Sequence, residues 1–194
     1  MDKITTSVDE LKTIRKIMEE STRFLSLSGL SGVFAGTFAI AGALVAWFLI
    51  RETSVIRWLL ITDAIMVLLL SVLFTLYFSR RKALRAGKML WTPVLRRLVV
   101  NMLVPLVSGG LFIIILLLHG QTQLIVPGML IFYGLALVNA GKFTYGEIFY
   151  LGLLEIATGL LAALFPPQGI FFWTFGFGFL HIIYGLFMYR KYEA

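Results

Sequence analysis

The sequence predicts an all-α polytopic integral membrane protein: six transmembrane helices with an amphipathic helix ahead of them. Three observations carry that prediction. Six apolar runs, at 24–50, 56–78, 98–118, 124–140, 145–165 and 170–189, match the roughly 20 helical residues that cross a hydrocarbon core about 30 Å thick. Hydrophobic residues make up 59% of the chain and charged residues only 14%, about half the charged share of a soluble domain, so lipid must solvate part of that surface. The formal net charge of +7 is matched by a single stretch, 80–97, which holds Arg80, Arg81, Lys82, Arg85, Lys88, Arg96 and Arg97 and no acid. The runs lack the dyad alternation of barrel strands, and a helix satisfies its own backbone in lipid.

Residues 1–22 form the first unit and 23–194 the transmembrane unit. In the first, Ile4, Val8, Leu11, Ile14 and Met18 recur at spacings of three and four and draw one apolar stripe along a helix. Ser7 and Glu10 fit a capping box, which starts regular helix near Val8. Residues 1–23 hold five acids and five bases, so the segment lacks the cationic excess that grips anionic lipid. It is expected to lie along the cytoplasmic face, against a neighbouring subunit or against a soluble partner. Its polar composition does not fit a signal peptide.

Span 1 carries Ser28, Gly32, Gly36, Ala39 and Ala43 on a small-residue stripe. Such stripes let helix backbones approach closely in lipid, either within one chain or between two copies. Span 2 contains Asp63 in its outer half. An acid there is costly against lipid, so it should face the bundle interior or a vestibule, or else pair with Arg57. The basic stretch 80–97 follows. Excess Lys and Arg marks a cytoplasmic loop, and each basic residue near an anionic surface contributes about 1 kcal/mol. Contact with anionic headgroups at the cytoplasmic face is the expected role, with a regulatory lipid or nucleotide site as the alternative.

Pro105 and Ser108-Gly109-Gly110 interrupt span 3, with Asn101 one turn before the proline. Proline removes a backbone donor, so a kink is expected, and broken helices in transporters aim backbone groups at ions or substrates. Pro127-Gly128 starts span 4. Spans 5 and 6 form a hairpin around Pro166-Pro167-Gln168-Gly169. Glu155 lies eleven residues before that turn and His181 twelve after it, so both reach similar depth near the bilayer centre. A Glu–His pair there can share a proton, since His changes charge near neutral pH. Thr158 and Tyr184, each three residues farther on, are candidates to extend the pair. In span 6, Phe175-Gly176-Phe177-Gly178-Phe179 has room for a ligand, a lipid chain or a neighbouring helix.

Other chemistries leave no trace. There is no cysteine, hence no disulfide, thiol nucleophile or thiolate metal site. His119 and His181 differ in depth by roughly 16 Å at 1.5 Å per residue, too far to sandwich one haem iron. No phosphate loop or G-x-S-x-G nucleophile appears, so no metal or cofactor is expected, and a membrane enzyme ranks third among the functional readings. The pI near 9.9 comes without any nucleic-acid module, so no nucleic-acid partner is expected either.

The run Arg23-Phe24-Leu25-Ser26-Leu27-Ser28-Gly29-Leu30-Ser31-Gly32, with the ending Tyr189-Arg190-Lys191-Tyr192-Glu193, resembles uncharacterised bacterial multi-pass membrane proteins of six helices. The resemblance implies a bacterial cytoplasmic membrane and no particular activity. The leading functional expectation is a small transport or channel-like protein, alone or as a homo-oligomer, with a polar pair near the midplane. The alternative is a non-catalytic accessory or sensory subunit that binds a partner membrane protein through the N-terminal helix and basic loop.

Alternation through six spans places both termini and 80–97 in the cytoplasm, with the turns 119–123 and 166–169 outside. Single cysteines at Lys88, Gln121 and Gln168 test this orientation. An impermeant thiol reagent added to intact cells should label the latter two and spare the first, and labelling of Lys88→Cys would overturn the topology.

Overall fold

The computed structural model describes residues 24, 26–52, 56–87, 89 and 91–194. The amphipathic segment 1–22, the side chain of Arg57 and residue Lys88 lie outside the described residues. Six helical stretches are long and apolar enough to cross a membrane. They comprise α1 (Gly29–Glu52), α2 (Ile56–Arg85), α3 (Pro93–Leu118), α4 (Ile125–Gly141), α5 (Gly146–Leu164) and a composite sixth span. The sixth span consists of α6 (Gly169–Trp173), a π-helical segment (Thr174–Leu180) and α7 (His181–Tyr192).

The basic stretch is mostly helix rather than loop. Arg80, Arg81, Lys82 and Arg85 ride on the last turns of α2, where positive charge complements the helix dipole. Gly87, at φ 62°, turns the chain out of α2. Thr92 then caps α3 by accepting a hydrogen bond from the Leu95 N–H at 3.1 Å, and Pro93 occupies the first turn. Arg96 and Arg97 belong to that first turn. α3 continues as one helical stretch through Pro105 to Leu118. One missing donor does not break a helix whose neighbouring turns stay bonded. The irregular backbone falls in the sixth span instead.

The packing order differs from the chain order. α2 lies on α1, α1 on the sixth span, the sixth span on α4 and α5, and α3 on α4. Small residues make these approaches close. A Cβ on Gly185 would sit 2.5 Å from the Val33 backbone nitrogen, and one on Gly36 would sit 2.5 Å from the Gly178 carbonyl. The small-residue stripe of span 1 therefore seats the sixth span of the same chain. Gly134 of α4 and Gly152 of α5 face each other in the same manner, each leaving 2.7 Å between an added Cβ and the other's carbonyl oxygen. Between α1 and α2 the contact is aromatic, with Phe34 5.2 Å from Phe74 and 5.1 Å from Phe78 between ring centroids.

A polar knot ties the two ends of the chain at the basic end of the bundle. Glu193 accepts hydrogen bonds from the Gly29 N–H at 2.6 Å and the Ser28 hydroxyl at 2.9 Å, so it caps α1 from the far end of the sequence. Lys82 completes the knot, 3.2 Å from Glu193, 2.7 Å from the Leu27 carbonyl and 3.3 Å from the Tyr145 hydroxyl. Three acceptors converge on its ammonium, and its side chain is 21% exposed. Burial, with Tyr192, Glu193 and Glu147 adding to it, pushes the Tyr145 hydroxyl up to about 12, so it stays a neutral phenol. Arg80, Arg81, Arg85, Arg96 and Arg97 remain exposed.

Removing the cap should loosen both chain ends together. Glu193→Ala should cost about 2 kcal/mol, the usual scale for hydrogen bonds to a charged group, measured as a lower thermal midpoint in detergent. Combined with Lys82→Met, the loss should fall short of the sum of the two single changes.

Candidate functional site

Glu155 is the central residue of α5, nine positions from Gly146 and nine from Leu164. It has no exposed surface at all. A carboxylate so placed needs a partner, since an isolated charge at mid-bilayer costs about 2.5–3.5 kcal/mol or more. His181 supplies it. The ring Nδ1 lies 3.3 Å from Glu155 Oε1, and His181 is itself 6% exposed. The equal-depth reading of the α5–sixth span hairpin thus brings together the two residues it singled out.

The backbone of the sixth span makes room for this contact. At Gly176 an added Cβ would sit 2.6 Å from Glu155 Oε2 and 2.5 Å from Leu130 Cδ2, so the glycine leaves both side-chain ends where they lie. The Gly176 carbonyl of the π turn lies 3.1 Å from His181 Nδ1. Single π turns recur at functional positions of helices. Gly178, two residues on, faces Ile40 of α1. The glycine-aromatic run of span 6 is therefore occupied by neighbouring helices and by Glu155.

The third member was not foreseen. Tyr133 of α4 places its hydroxyl 2.8 Å from His181 Nε2. Its position was readable in principle, because it lies midway between Ile125 and Gly141 and so at the depth of the pair. The pairing of α4 with the sixth span was not readable, as it depends on the packing order. The Phe177 ring, 5.2 Å from that of Tyr133 and 4.8 Å from Trp173, closes the side of the histidine away from the basic end with aromatic surface.

These contacts assign the proton positions on the ring. The Gly176 carbonyl and the Glu155 carboxylate can only accept, so Nδ1 carries hydrogen. Nε2 then accepts from the Tyr133 hydroxyl when the ring is neutral and donates to the phenol oxygen when it is charged. A hydroxyl fits both states. Neither Glu155 oxygen accepts a hydrogen bond from a described residue within bonding geometry, so His181 is its main electrostatic partner. With one proton between them, as carboxylate and imidazolium or as carboxylic acid and imidazole, the pair is neutral. Removing that proton, or adding another, leaves a net charge in an apolar interior.

The remaining candidates stand apart from this centre. Thr158 shares the buried face of α5, but its hydroxyl donates to the Leu154 carbonyl of its own helix at 2.8 Å. Tyr184 lies one turn beyond His181 and packs against the apolar cluster of Leu98, Leu137, Ile148 and Leu151. Asp63 sits on α2 against α1, where an added Cβ at Gly42 would lie 3.3 Å from its Oδ2. Asn101 donates to the Arg97 carbonyl at 2.8 Å and lines a cavity of about 500 Å³ with Trp91, Thr92, Arg96 and Arg97. His119 is exposed at the end of α3. Among the described residues no three His, Asp or Glu gather in a metal-binding group.

No family model matches the chain, and comparisons with curated proteins and with solved structures return no match.

Breaking the pair leaves an unmatched polar group in the core, which costs about 3–5 kcal/mol where a buried ion pair loses one partner. Glu155→Gln and His181→Gln should each lower the unfolding midpoint in purified protein, and the double change should be less than additive. Additive losses would show that the two side chains act independently. Gly176→Ala should also destabilise, through the methyl group forced against Glu155 and Leu130.

Proposed function

We propose that the protein is a small transport or channel-like protein of the cytoplasmic membrane, with both termini in the cytoplasm and the Glu155–His181 pair as its proton-binding site. The reading is supported by one observation above all: a fully buried carboxylate at mid-span, matched by a single histidine. Ionisable groups at that depth are costly, and where they persist they mark ion pathways and proton relays. Gain or loss of one proton changes the net charge of the site, so proton binding and the conformation around it are energetically linked. Irregular helix at mid-span, here the π segment beside Glu155, is also the backbone feature with which transporters build their sites. The exposed Arg80, Arg81, Arg85, Arg96 and Arg97 would meet anionic headgroups of the inner leaflet.

Purified protein reconstituted in liposomes tests this directly. Under an imposed membrane potential, the wild type should carry protons, reported by an internal pH dye, and Glu155→Gln should lower the rate at least about tenfold, within the range a positioned proton-transfer group contributes. Equal leak from wild type and Glu155→Gln would remove the transport reading. A stoichiometric membrane partner retained in mild detergent, with no flux from the protein alone, would support the accessory role instead.

A further inference from the structure

Arg96 and Arg97 share a cavity at the basic end of the bundle. It holds about 500 Å³ and is lined by Trp91, Thr92, Pro93, the two arginines, Val100 and Asn101, within the roughly 300–1,000 Å³ of small-molecule sites. Side chains give it its chemistry. The Leu95 and Arg96 amides of the first turn are already bonded to the Thr92 hydroxyl and carbonyl, and Pro93 has no amide hydrogen. Asn101, one turn beyond Arg97, donates to the Arg97 carbonyl at 2.8 Å. The charged groups left to meet an occupant are the two guanidiniums.

Among the described residues no carboxylate pairs with either of them. Glu147 is taken by Lys191 and Tyr192, Glu193 by Lys82 and the start of α1, and Glu155 by His181, while Asp63 lies on α2 against Gly42. Two neighbouring positive charges on one cavity repel each other and favour an anion between them. Guanidinium forks match phosphate oxygens through paired hydrogen bonds.

Beyond the cavity the surface of α3 turns apolar without a break. Val100, itself in the lining, starts a line that continues through Val104, Val107, Leu111, Ile114 and Leu118 at spacings of three and four, each more than half exposed. α3 packs chiefly on α4, so this line is open to lipid. From Val100 to Leu111 it runs about 16 Å at 1.5 Å per residue, half of a hydrocarbon core about 30 Å thick. That is the depth of the acyl chains of one leaflet. Trp91, exposed just ahead of Thr92, stands at the level where indole rings gather at the interface. A soluble phosphate would use the guanidiniums and leave the apolar line bare, whereas a phospholipid uses both.

We infer that this cavity binds one phospholipid with a net negative headgroup, its phosphate on Arg96 and Arg97 and an acyl chain along the line from Val100 to Leu111. The inference rests on the headgroup contact proposed above, narrowed to one place and one lipid, and does not depend on proton transport. Arg80, Arg81 and Arg85, exposed on the last turns of α2 and outside the cavity lining, add diffuse attraction only.

The test titrates the full-length protein in an uncharged detergent with phosphatidylglycerol or with phosphatidylcholine of the same acyl chains, and counts bound lipid by native mass spectrometry. One phosphatidylglycerol should bind at least about tenfold more tightly than phosphatidylcholine, the scale of a hydrogen bond to a charged group. Arg96→Gln combined with Arg97→Gln should remove that preference. Arg80→Gln combined with Arg81→Gln takes the same charge from exposed positions outside the cavity and should keep it. Equal affinity for the two lipids in the wild type, or a preference untouched by the Arg96 and Arg97 changes, would overturn the inference. An equal loss in both double variants would also overturn it and leave only the diffuse headgroup contact. Competition by glycerol phosphate or inorganic phosphate at the lipid's own concentration would assign the cavity to a soluble phosphate instead. The lipid preference without proton flux in liposomes would remove the transport reading and keep this one, and flux without the preference would do the reverse.

Discussion

A carboxylate at the centre of an apolar bundle sets terms that several helices have to meet at once. Glu155 has no exposed surface, and the protein group nearest its charge is the His181 ring at 3.3 Å. For that contact to exist, α5 and the sixth span must pack in one register, the sixth span must carry glycine at position 176, and α4 must bring Tyr133 against the far side of the imidazole. A shift of one turn in any of the three would leave a buried polar group without its match, a loss on the scale of several kcal/mol. In lipid, where hydrophobicity does not drive one helix onto another, such a pair also fixes which faces meet.

The close approaches that hold this register come from residues with almost no side chain. Gly134 against Gly152 brings α4 to α5, and Gly29, Gly32 and Gly36 bring α1 to Gly185 and Gly178 of the sixth span. The interfaces thus leave little room for adjustment, and the mid-span polar centre is enclosed by surfaces that were already forced together. At the basic end the constraint is different. Glu193 and Lys82 are partly exposed, and their knot joins α1, α2 and the last turn of the chain. One polar centre is sealed and the other is open to solvent.

Several features of this arrangement were legible in the linear order of residues because they depend on composition or on distance along a helix. Six apolar stretches, the helical class, and the matched depth of Glu155 and His181 all follow from counting at a fixed rise per residue. The small-residue stripe of span 1 was also visible, although its target was not: close approach is a property of one helix, whereas the choice of neighbour belongs to two. The irregular backbone appears at the glycine-rich run of the sixth span, beside the Glu155 carboxylate.

What the sequence by itself determined is the part governed by local chemistry: which segments are apolar helix, where charge gathers, and which polar residues lie too deep to stand alone. Only the tertiary structure decided which of those residues meet. Tyr133 joins His181 because α4 packs beside the sixth span, Lys82 meets Glu193 because the start of α1 and the last turn of the sixth span converge on it, and Asp63 and Asn101 remain outside the centre because α2 and α3 lie at the edges of the packing order. The physical reason is common to all of them. Depth along a helix is set by 1.5 Å per residue and can be counted, but the azimuth at which a side chain meets another helix depends on the packing of every helix between them.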